Sequence, residues 1–312
     1  MDCLGEECLP PSLTTLEIVG CEKLERWITS KGLQSEGLTH LILGQWKEVK
    51  WFPREGCLPA SLKSLQLSNF LNLEMLDCKG LHHLTSLQQL KIEYCPKLTI
   101  SEPLQHKSLK EIHVSDVTRC DSLTLFPLGS LPKLEALFIS KCHRLISMPG
   151  LGFAAPHLEK LEIAACPEMD CFGEKCLPPS LKTLRIVDCE KLERWITSKG
   201  LQSQGLTHLF LENWNEVKWF PREGCLPASL QSLKLSYFSN LETLDCKGLH
   251  HLTSLQQLTI DKCPKLENIT QQNLPASISK LLIRGECPLW SKLEEMNDPR
   301  IQFRKGKPVS MR

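Results

Sequence analysis

Cysteine and histidine have the widest chemical reach of the residues in this chain, and the string "DCKGLHHL" brings them together. Cys78 stands close ahead of His82 and His83, and a second copy sets Cys246 ahead of His250 and His251. A thiolate and imidazoles are zinc-ligand chemistry, but a structural zinc site takes four ligands, and no second cysteine pair accompanies either string. Adjacent histidines also point in different directions, and Leu81 and Leu84 fit core positions. The string therefore reads as packing. Cys166, Cys171 and Cys176 are separated by four-residue gaps, unlike the short C-x-x-C of zinc or redox sites. No G-x-x-x-x-G-K-[ST] phosphate loop, G-x-S-x-G elbow or H-E-x-x-H zinc helix occurs. The expectation is a non-enzyme with no catalytic residues, no cofactor and no metal.

The chain has 312 residues and sixteen cysteines. Their placement argues against a disulfide scaffold. Cys21, Cys95, Cys142, Cys166, Cys189 and Cys263 each sit eight residues after the first leucine of a repeating unit. One cysteine per unit is a structural position, so reduced, buried thiols are expected. The start "MDCLGEEC" lacks a basic segment followed by an apolar one, so no signal peptide is read. No apolar run reaches the roughly 18–20 residues that span a bilayer. A net charge of +1 gives no pull toward nucleic acid. A cytoplasmic protein without nucleic-acid or membrane-spanning business is expected.

The elements that would position any site come from a period. A leucine-like residue opens a unit at Leu13, Leu38, Leu62, Leu87, Leu109, Leu134, Leu158, Leu181, Leu206, Leu230, Leu255 and Ile278, in steps of 22 to 25. Each unit begins L-x-x-L-x-[LIV], and several continue x-x-C-x-x-L. This is the leucine-rich-repeat signature. The L-x-L core alternates with period two, so a short strand buries both leucines and presents the residue between them. The expected fold is α/β: a leucine-rich-repeat solenoid, a curved horseshoe of about twelve repeats, with a parallel β-sheet on the concave face. Irregular loops and short helical turns fill the convex face. Trp46, Phe70, Trp214 and Phe238 replace the cysteine in four coils and imply wider corners. Trp27, Trp51, Trp195 and Trp219 read as packing of the convex layer. Repeats 1–290 form the domain. Leu13 opens a repeat without an amphipathic cap ahead of it, which suggests preceding sequence or a partner. Residues 291–312 read as a C-terminal capping segment with a basic tail holding Arg300, Arg304, Lys305, Lys307 and Arg312, more a solvated tail than a phosphate-binding one.

Residues 3–98 align without a gap to 171–266, and 18 of the 96 positions differ. Four strand cores supply 20 non-leucine positions, and 12 of these differ, against 6 of the other 76. Loops such as "ERWITSKGLQS" and "VKWFPREGCLPAS", expected to be exposed, do not change. The varied set predicts a protein-binding concave face. In the first copy the residues taken from it for that face are Glu17, Gly20, Ile42, Gly44, Gln45, Gln66, Asn69, Lys91, Glu93 and Tyr94. In the second they are Arg185, Asp188, Phe210, Glu212, Asn213, Lys234, Tyr237, Thr259, Asp261 and Lys262. Diversification of a recognition surface explains this pattern better than drift at exposed positions.

The strings "LPxSLxxLxIxxCxxLE", "LTSLQQLxIxxCPKLE" and "LPKLEALFISKCHRL" resemble the C-terminal repeats of plant intracellular nucleotide-binding leucine-rich-repeat disease-resistance proteins of the coiled-coil type. That resemblance runs from about residue 8 to 290. It implies a module of plant defence whose partner is a pathogen effector or host protein. It also implies regulation of a nucleotide-binding switch domain, in cis or in trans, whose phosphate loop this sequence does not contain. The alternative is the substrate-recognition repeat domain of a ubiquitin-ligase adaptor. That class usually carries a further acidic residue after the cysteine and an F-box ahead of the repeats, neither of which is evident.

Overall fold

The computed structural model describes residues 9–99, 102–116, 128–172, 177–270, 274–295 and 298–304. The chain divides into two compact units. The first holds Met1–Lys160 with Phe172–Pro178, and the second holds Leu161–Cys171 with Pro179–Arg312.

In the first unit, β1 (Thr15–Val19) leads into α1 (Glu22–Lys31), followed by β2 (His40–Gly44), β3 (Trp51–Phe52), β4 (Ser64–Ser68) and β5 (Met75–Leu76). Then come α2 (Cys78–His83), β6 (Gln89–Glu93), β7 (Glu111–Ser115), β8 (Ala136–Ser140) and α3 (Leu151–Ala154). Strands β1, β2, β4, β6, β7 and β8 pair in parallel, in that order. Register is strict: Leu16, Leu41, Leu65, Leu90, Ile112 and Leu137 face one another across the ladder. Five of these six are buried to 1% or less, and only Leu16, in the first strand, is half-buried.

The second unit runs through β9 (Lys160–Ala164), β10 (Thr183–Val187), α4 (Glu190–Lys199), β11 (His208–Glu212), β12 (Trp219–Phe220), β13 (Ser232–Ser236) and β14 (Thr243–Leu244). It continues with α5 (Cys246–His250), β15 (Gln257–Asp261), β16 (Asn268–Ile269), β17 (Lys280–Arg284), α6 (Leu289–Glu295) and β18 (Ile301–Arg304). Its main ladder is ordered β9-β10-β11-β13-β15-β17-β18. The strand β18 adds a rung beyond the twelve predicted repeats: Ile301 and Phe303 pair with Leu281 and Ile283, repeating the L-x-L spacing. Helix α6 precedes it with Leu289 and Leu293 buried, and Trp290 meets Phe303 edge-on at 5.2 Å. Arg300 is no solvated tail cation, because it pairs with Asp298 at 2.5 Å and donates to the carbonyls of Pro275 and Ile278. Lys305, Lys307 and Arg312 lie outside the described residues, as do Cys176 and the side chain of Arg304.

Each strand ends for a backbone reason that the leucine pattern does not announce. Twelve residues, one after each of β1, β2, β4, β6 to β11, β13, β15 and β17, adopt positive φ between 50° and 65°, except that the last, Gly285, reaches 73°. Only Gly20 and Gly285 among them are glycine; the others include Tyr94, Lys141, Ala165 and Tyr237. An L-residue in this region costs about 1–2 kcal/mol, so the coil corner is held against local preference by the ladders around it. Ala165→Gly is expected to raise stability by about 0.5–1 kcal/mol by removing the Cβ clash. Urea unfolding checks this.

Behind the strands, the corners are filled as the cysteine spacing suggests. Cys95, Cys142, Cys166, Cys189 and Cys263 are buried, and each thiol donates to the carbonyl two residues earlier at 3.3–3.7 Å. Burial pushes the thiols of Cys95 and Cys263 up to about 12. The twelve cysteines among the described residues are free of disulfides. Where aromatics replace cysteine, Trp46 stacks on Phe70 at 5.1 Å and meets Phe52 at 5.3 Å, and the copy repeats this with Trp214, Phe238 and Phe220. All six rings are fully buried.

Away from the main ladders, two-residue strands form further parallel ladders, β3-β5 in the first unit and β12-β14-β16 in the second. These correct one expectation. Successive residues of a strand face opposite ways, so Phe52 and Phe220 are buried while Trp51 and Trp219 are 55% and 45% exposed. The latter two tryptophans do not pack the back layer.

Helix α1 also differs from the exposed loop expected of "ERWITSKGLQS". Leu24, Trp27 and Ile28 fall on one side, Glu22 and Glu25 suit the first turn, and the helix ends at Gly32 with φ 83°. Glu25 is 1% exposed, and its carboxylate accepts from the main-chain N–H groups of Lys47, Glu48 and Val49 at 3.2, 2.8 and 3.1 Å. Glu193 in α4 does the same for Asn215, Glu216 and Val217 at 3.2, 2.9 and 3.0 Å. Burial pushes the Glu193 carboxyl up, against the pull of those three amides. Glu193→Ala strands the three donors and is expected to cost about 2–4 kcal/mol. Hydrogen exchange should show the Val217 amide losing protection first.

Candidate recognition face

The register of the ladders decides which side chains share a surface. In the first unit, the outward row at mid-strand reads Glu17, Ile42, Gln66, Lys91, His113 and Phe138. One step along, Val19, Gly44, Ser68, Glu93, Ser115 and Ser140 form a second row on the same side. In the second unit the mid-strand row is Arg185, Phe210, Lys234, Thr259, Leu282 and Gln302. Beside it run Val187, Glu212, Ser236, Asp261 and Arg284. Within each unit, the strand residues chosen from sequence thus lie on one side of one ladder.

Eight of the chosen residues are not strand residues. Gly20, Gln45, Asn69, Tyr94, Asp188, Asn213, Tyr237 and Lys262 are the positive-φ corner positions. Here glycine or asparagine would be easiest to accommodate, yet the two copies exchange glycine for aspartate, asparagine for tyrosine, and tyrosine for lysine. Tyr94 and Tyr237 stand 46% and 45% exposed. Two chosen residues are not presented to solvent. Gly44 is buried, and Thr259 is 6% exposed. They lie in the right rows but under their neighbours.

The two faces differ in electrostatics. On the first, Gln66 donates to Glu93 at 3.0 Å and Lys91 pairs with Glu93 at 2.8 Å. On the second, Arg185 bridges Glu162 at 3.0 Å and Glu212 at 2.9 Å, and Lys234 approaches Glu212 at 3.8 Å. Lys262 donates to the Tyr237 hydroxyl at 3.0 Å and lies 4.8 Å over its ring. Two changes, from Glu17 to Arg185 and from Gly44 to Glu212, thus give the second ladder a cation held between Glu212 and the Glu162 carboxylate.

Comparing the copies could not reveal residues in the uncopied stretch. His113 stacks on Phe138 at 4.1 Å, with Lys160 Nζ 4.6 Å from the Phe138 centroid and Glu111 2.5 Å from His113 Nε2. They occupy the same outward positions of L-x-x-L-x-L, and that spacing alone could have nominated them.

The cysteine–histidine strings take structural places. Asp77 caps α2 by accepting from the N–H groups of Lys79 and Gly80 at 3.0 and 3.4 Å, and Leu81 and Leu84 are buried. A Cβ on Gly80 would stand 1.8 Å from the Pro53 carbonyl oxygen, so only glycine fits. His82 and His83 point to solvent, and His250 Nδ1 lies 2.6 Å from the Cys246 carbonyl. Among the described residues, no three His, Cys, Asp or Glu side chains gather as a metal site, and no helix is long and apolar enough to cross a membrane.

Comparison with known proteins gives the surface a context. No family model matches the chain. An Arabidopsis thaliana protein assigned to disease resistance is 29% identical over 252 residues, covering 63% of this chain and 18% of that protein. The disease resistance protein RPS4B of A. thaliana is 26% identical over 204 residues, covering 58% and 16% respectively. The disease resistance protein RPP4 of the same plant is 24% identical over 284 residues, covering 74% and 24%. The chain therefore spans less than a quarter of the length of these relatives. A solved leucine-rich repeat protein from Bacteroides ovatus aligns over 94% of this chain and 92% of its own, at 13% identity and a TM-score of 0.25.

Proposed function

We propose that this leucine-rich-repeat chain, a homologue of Arabidopsis disease resistance proteins, recognises protein partners in plant defence through the outward faces of its strand ladders. The partner is a pathogen effector or a host protein, met in the cytoplasm. Binding there adjusts a nucleotide-binding switch domain in cis or in trans.

One observation carries this reading. Between two copies that have otherwise changed little, 12 of the 20 non-leucine positions in and beside the strand cores differ, against 6 of 76 elsewhere. The unchanged remainder includes buried leucines, Glu25 with its twin Glu193, and the glycines that admit close approach, all fixed by packing. The substitutions also alter charge, as from Glu17 to Arg185, and size, as from Asn69 to Tyr237. Charge complementarity sets partner choice and encounter rate, and exposed tyrosine is the residue type that anchors interfaces. Holding tyrosine and lysine at corners where glycine is easier runs against local stability, a cost that marks functional surfaces. The test is exchange of outward residues between the copies, followed by measurement of partner binding and melting, as set out in the Discussion.

A further inference from the structure

Not every exposed, unchanged residue is explained by packing. Trp51 and Trp219 stand exposed, and beside each lies a cleft of about 300 Å³ and about 370 Å³ respectively. The first cleft runs between α1 and β3, lined by Arg26, Thr29, Val49, Lys50, Trp51 and Arg54 together with the two engaged carboxylates Glu25, bound to main-chain amides, and Glu48, bound to Arg26. The second runs between α4 and β12 and is lined by the residues exactly 168 positions later. All these residues are the same in both copies.

The cleft wall is the free edge of a ladder. The carbonyls of Lys50 and Phe52 accept from the N–H groups of Met75 and Asp77 at 3.1 and 3.2 Å. The pleat therefore turns the N–H and carbonyl of Trp51, which lies between them, toward α1. No group among the described residues bonds to either. In the second unit the carbonyls of Lys218 and Phe220 are engaged by Thr243 and Asp245 at 3.0 Å each, and Trp219 is left open in the same way. Exposed main-chain donors and acceptors at a strand edge are a template for another strand.

The charges around the edge are mostly spoken for. Arg26 is held by Glu48 at 2.7 Å, and Lys50 pairs with Glu74 at 3.1 Å. Arg54 is exposed and has no acidic partner among the described residues. Its twin Arg222 lies 4.6 Å over the Trp219 ring and donates to the Thr197 carbonyl at 3.4 Å, with no acidic partner among the described residues. Each cleft thus offers one unpaired strand edge, one indole face and one guanidinium without a counter-charge.

We propose that these two clefts are equivalent binding sites for an extended acidic peptide segment of a partner protein. The segment adds as a short strand beside β3 or β12, taking two main-chain hydrogen bonds from Trp51 or Trp219. An aliphatic side chain covers the indole, and a carboxylate pairs with Arg54 or Arg222. This surface is separate from the outward strand faces and holds the same specificity in both copies while those faces diverge.

The probe is a blocked hexapeptide alternating valine and threonine around one central glutamate, titrated into the full chain by calorimetry and tryptophan fluorescence. The expected result is saturable binding of two peptides per chain. Trp51→Ala or Trp219→Ala alone should leave one site. Arg54→Glu with Arg222→Glu should weaken binding about tenfold, as loss of an interface anchor does. Replacing the central glutamate by lysine, or N-methylating the peptide backbone, should abolish it. Melting profiles of the variants should match the parent, since the substituted side chains are exposed. Absence of saturable binding into the millimolar range overturns the proposal. So does binding that survives Trp51→Ala/Trp219→Ala, or that ignores backbone methylation. If a tryptophan variant fails to fold, the arginine pair and the methylated peptide still decide the matter.

Discussion

Leu184→Asp is expected to abolish cooperative folding of its unit, and Leu16→Asp, the same change at the matching position of the first copy, to weaken it far less. Both leucines follow the threonine that opens their strand and are flanked by nearly the same sequence. Leu184 is fully buried, with β10 between β9 and β11. Leu16 is half-buried in β1, the first strand of its ladder. Removing a buried leucine costs about 2–5 kcal/mol, and an unpaired buried carboxylate adds desolvation on top. We expect Leu184→Asp to cost about 5 kcal/mol or more and Leu16→Asp roughly half as much. Chemical unfolding followed by circular dichroism measures both. Equal effects would contradict the burial difference between the copies.

The period-two leucines were legible because they are local: each L-x-L states its own inward face, and twelve repetitions state the ladder. What escaped the sequence depended on neighbours one coil away. Glu25 and Glu193 look like ordinary first-turn helix acids, and only the coil pairing reveals that each binds three amides of the next coil. The positive-φ corners are occupied by tyrosine, lysine and alanine as well as glycine, so residue type gave no warning. Tryptophan counts as apolar, so by type alone Trp51 and Trp219 read as packing of the back layer. Yet "WF" inside a strand must place one ring out and the other in, and alternation would have set Phe52 inside. Contrast between copies picks out the candidate face only where the chain carries two of them; elsewhere the L-x-x-L-x-L spacing is the one signal. His113, Phe138 and Lys160 lie outside the duplicated blocks and had no twin to contrast with.

Exchange of the outward residues is the second large expected effect. Arg185→Glu sets a third carboxylate between Glu162 and Glu212, and Lys234→Gln removes the other cation that approaches Glu212. Together they give these two positions the residue types of Glu17 and Gln66 and leave the second face more acidic than the first, because Glu212 and Thr259 stand where the first has Gly44 and Lys91. A partner selected by this face should lose about tenfold to a hundredfold in affinity, as charge mismatch at an interface does. Folding should persist, because outward substitutions leave the leucine core intact. Thr259 is the poorer choice for such an exchange, since it is buried among its neighbours.

The most direct test takes one protein partner obtained from pathogen-challenged plant tissue and measures its dissociation constant against three purified chains. These are the parent, a chain carrying Glu17→Arg, Gln66→Lys and Tyr94→Lys with Arg185→Glu, Lys234→Gln and Tyr237→Asn, and a chain carrying Trp51→Ala with Trp219→Ala. Recognition through the strand faces predicts at least about tenfold weaker binding for the face-exchanged chain alone, with all three melting alike. An unchanged dissociation constant for that folded, face-exchanged chain contradicts it.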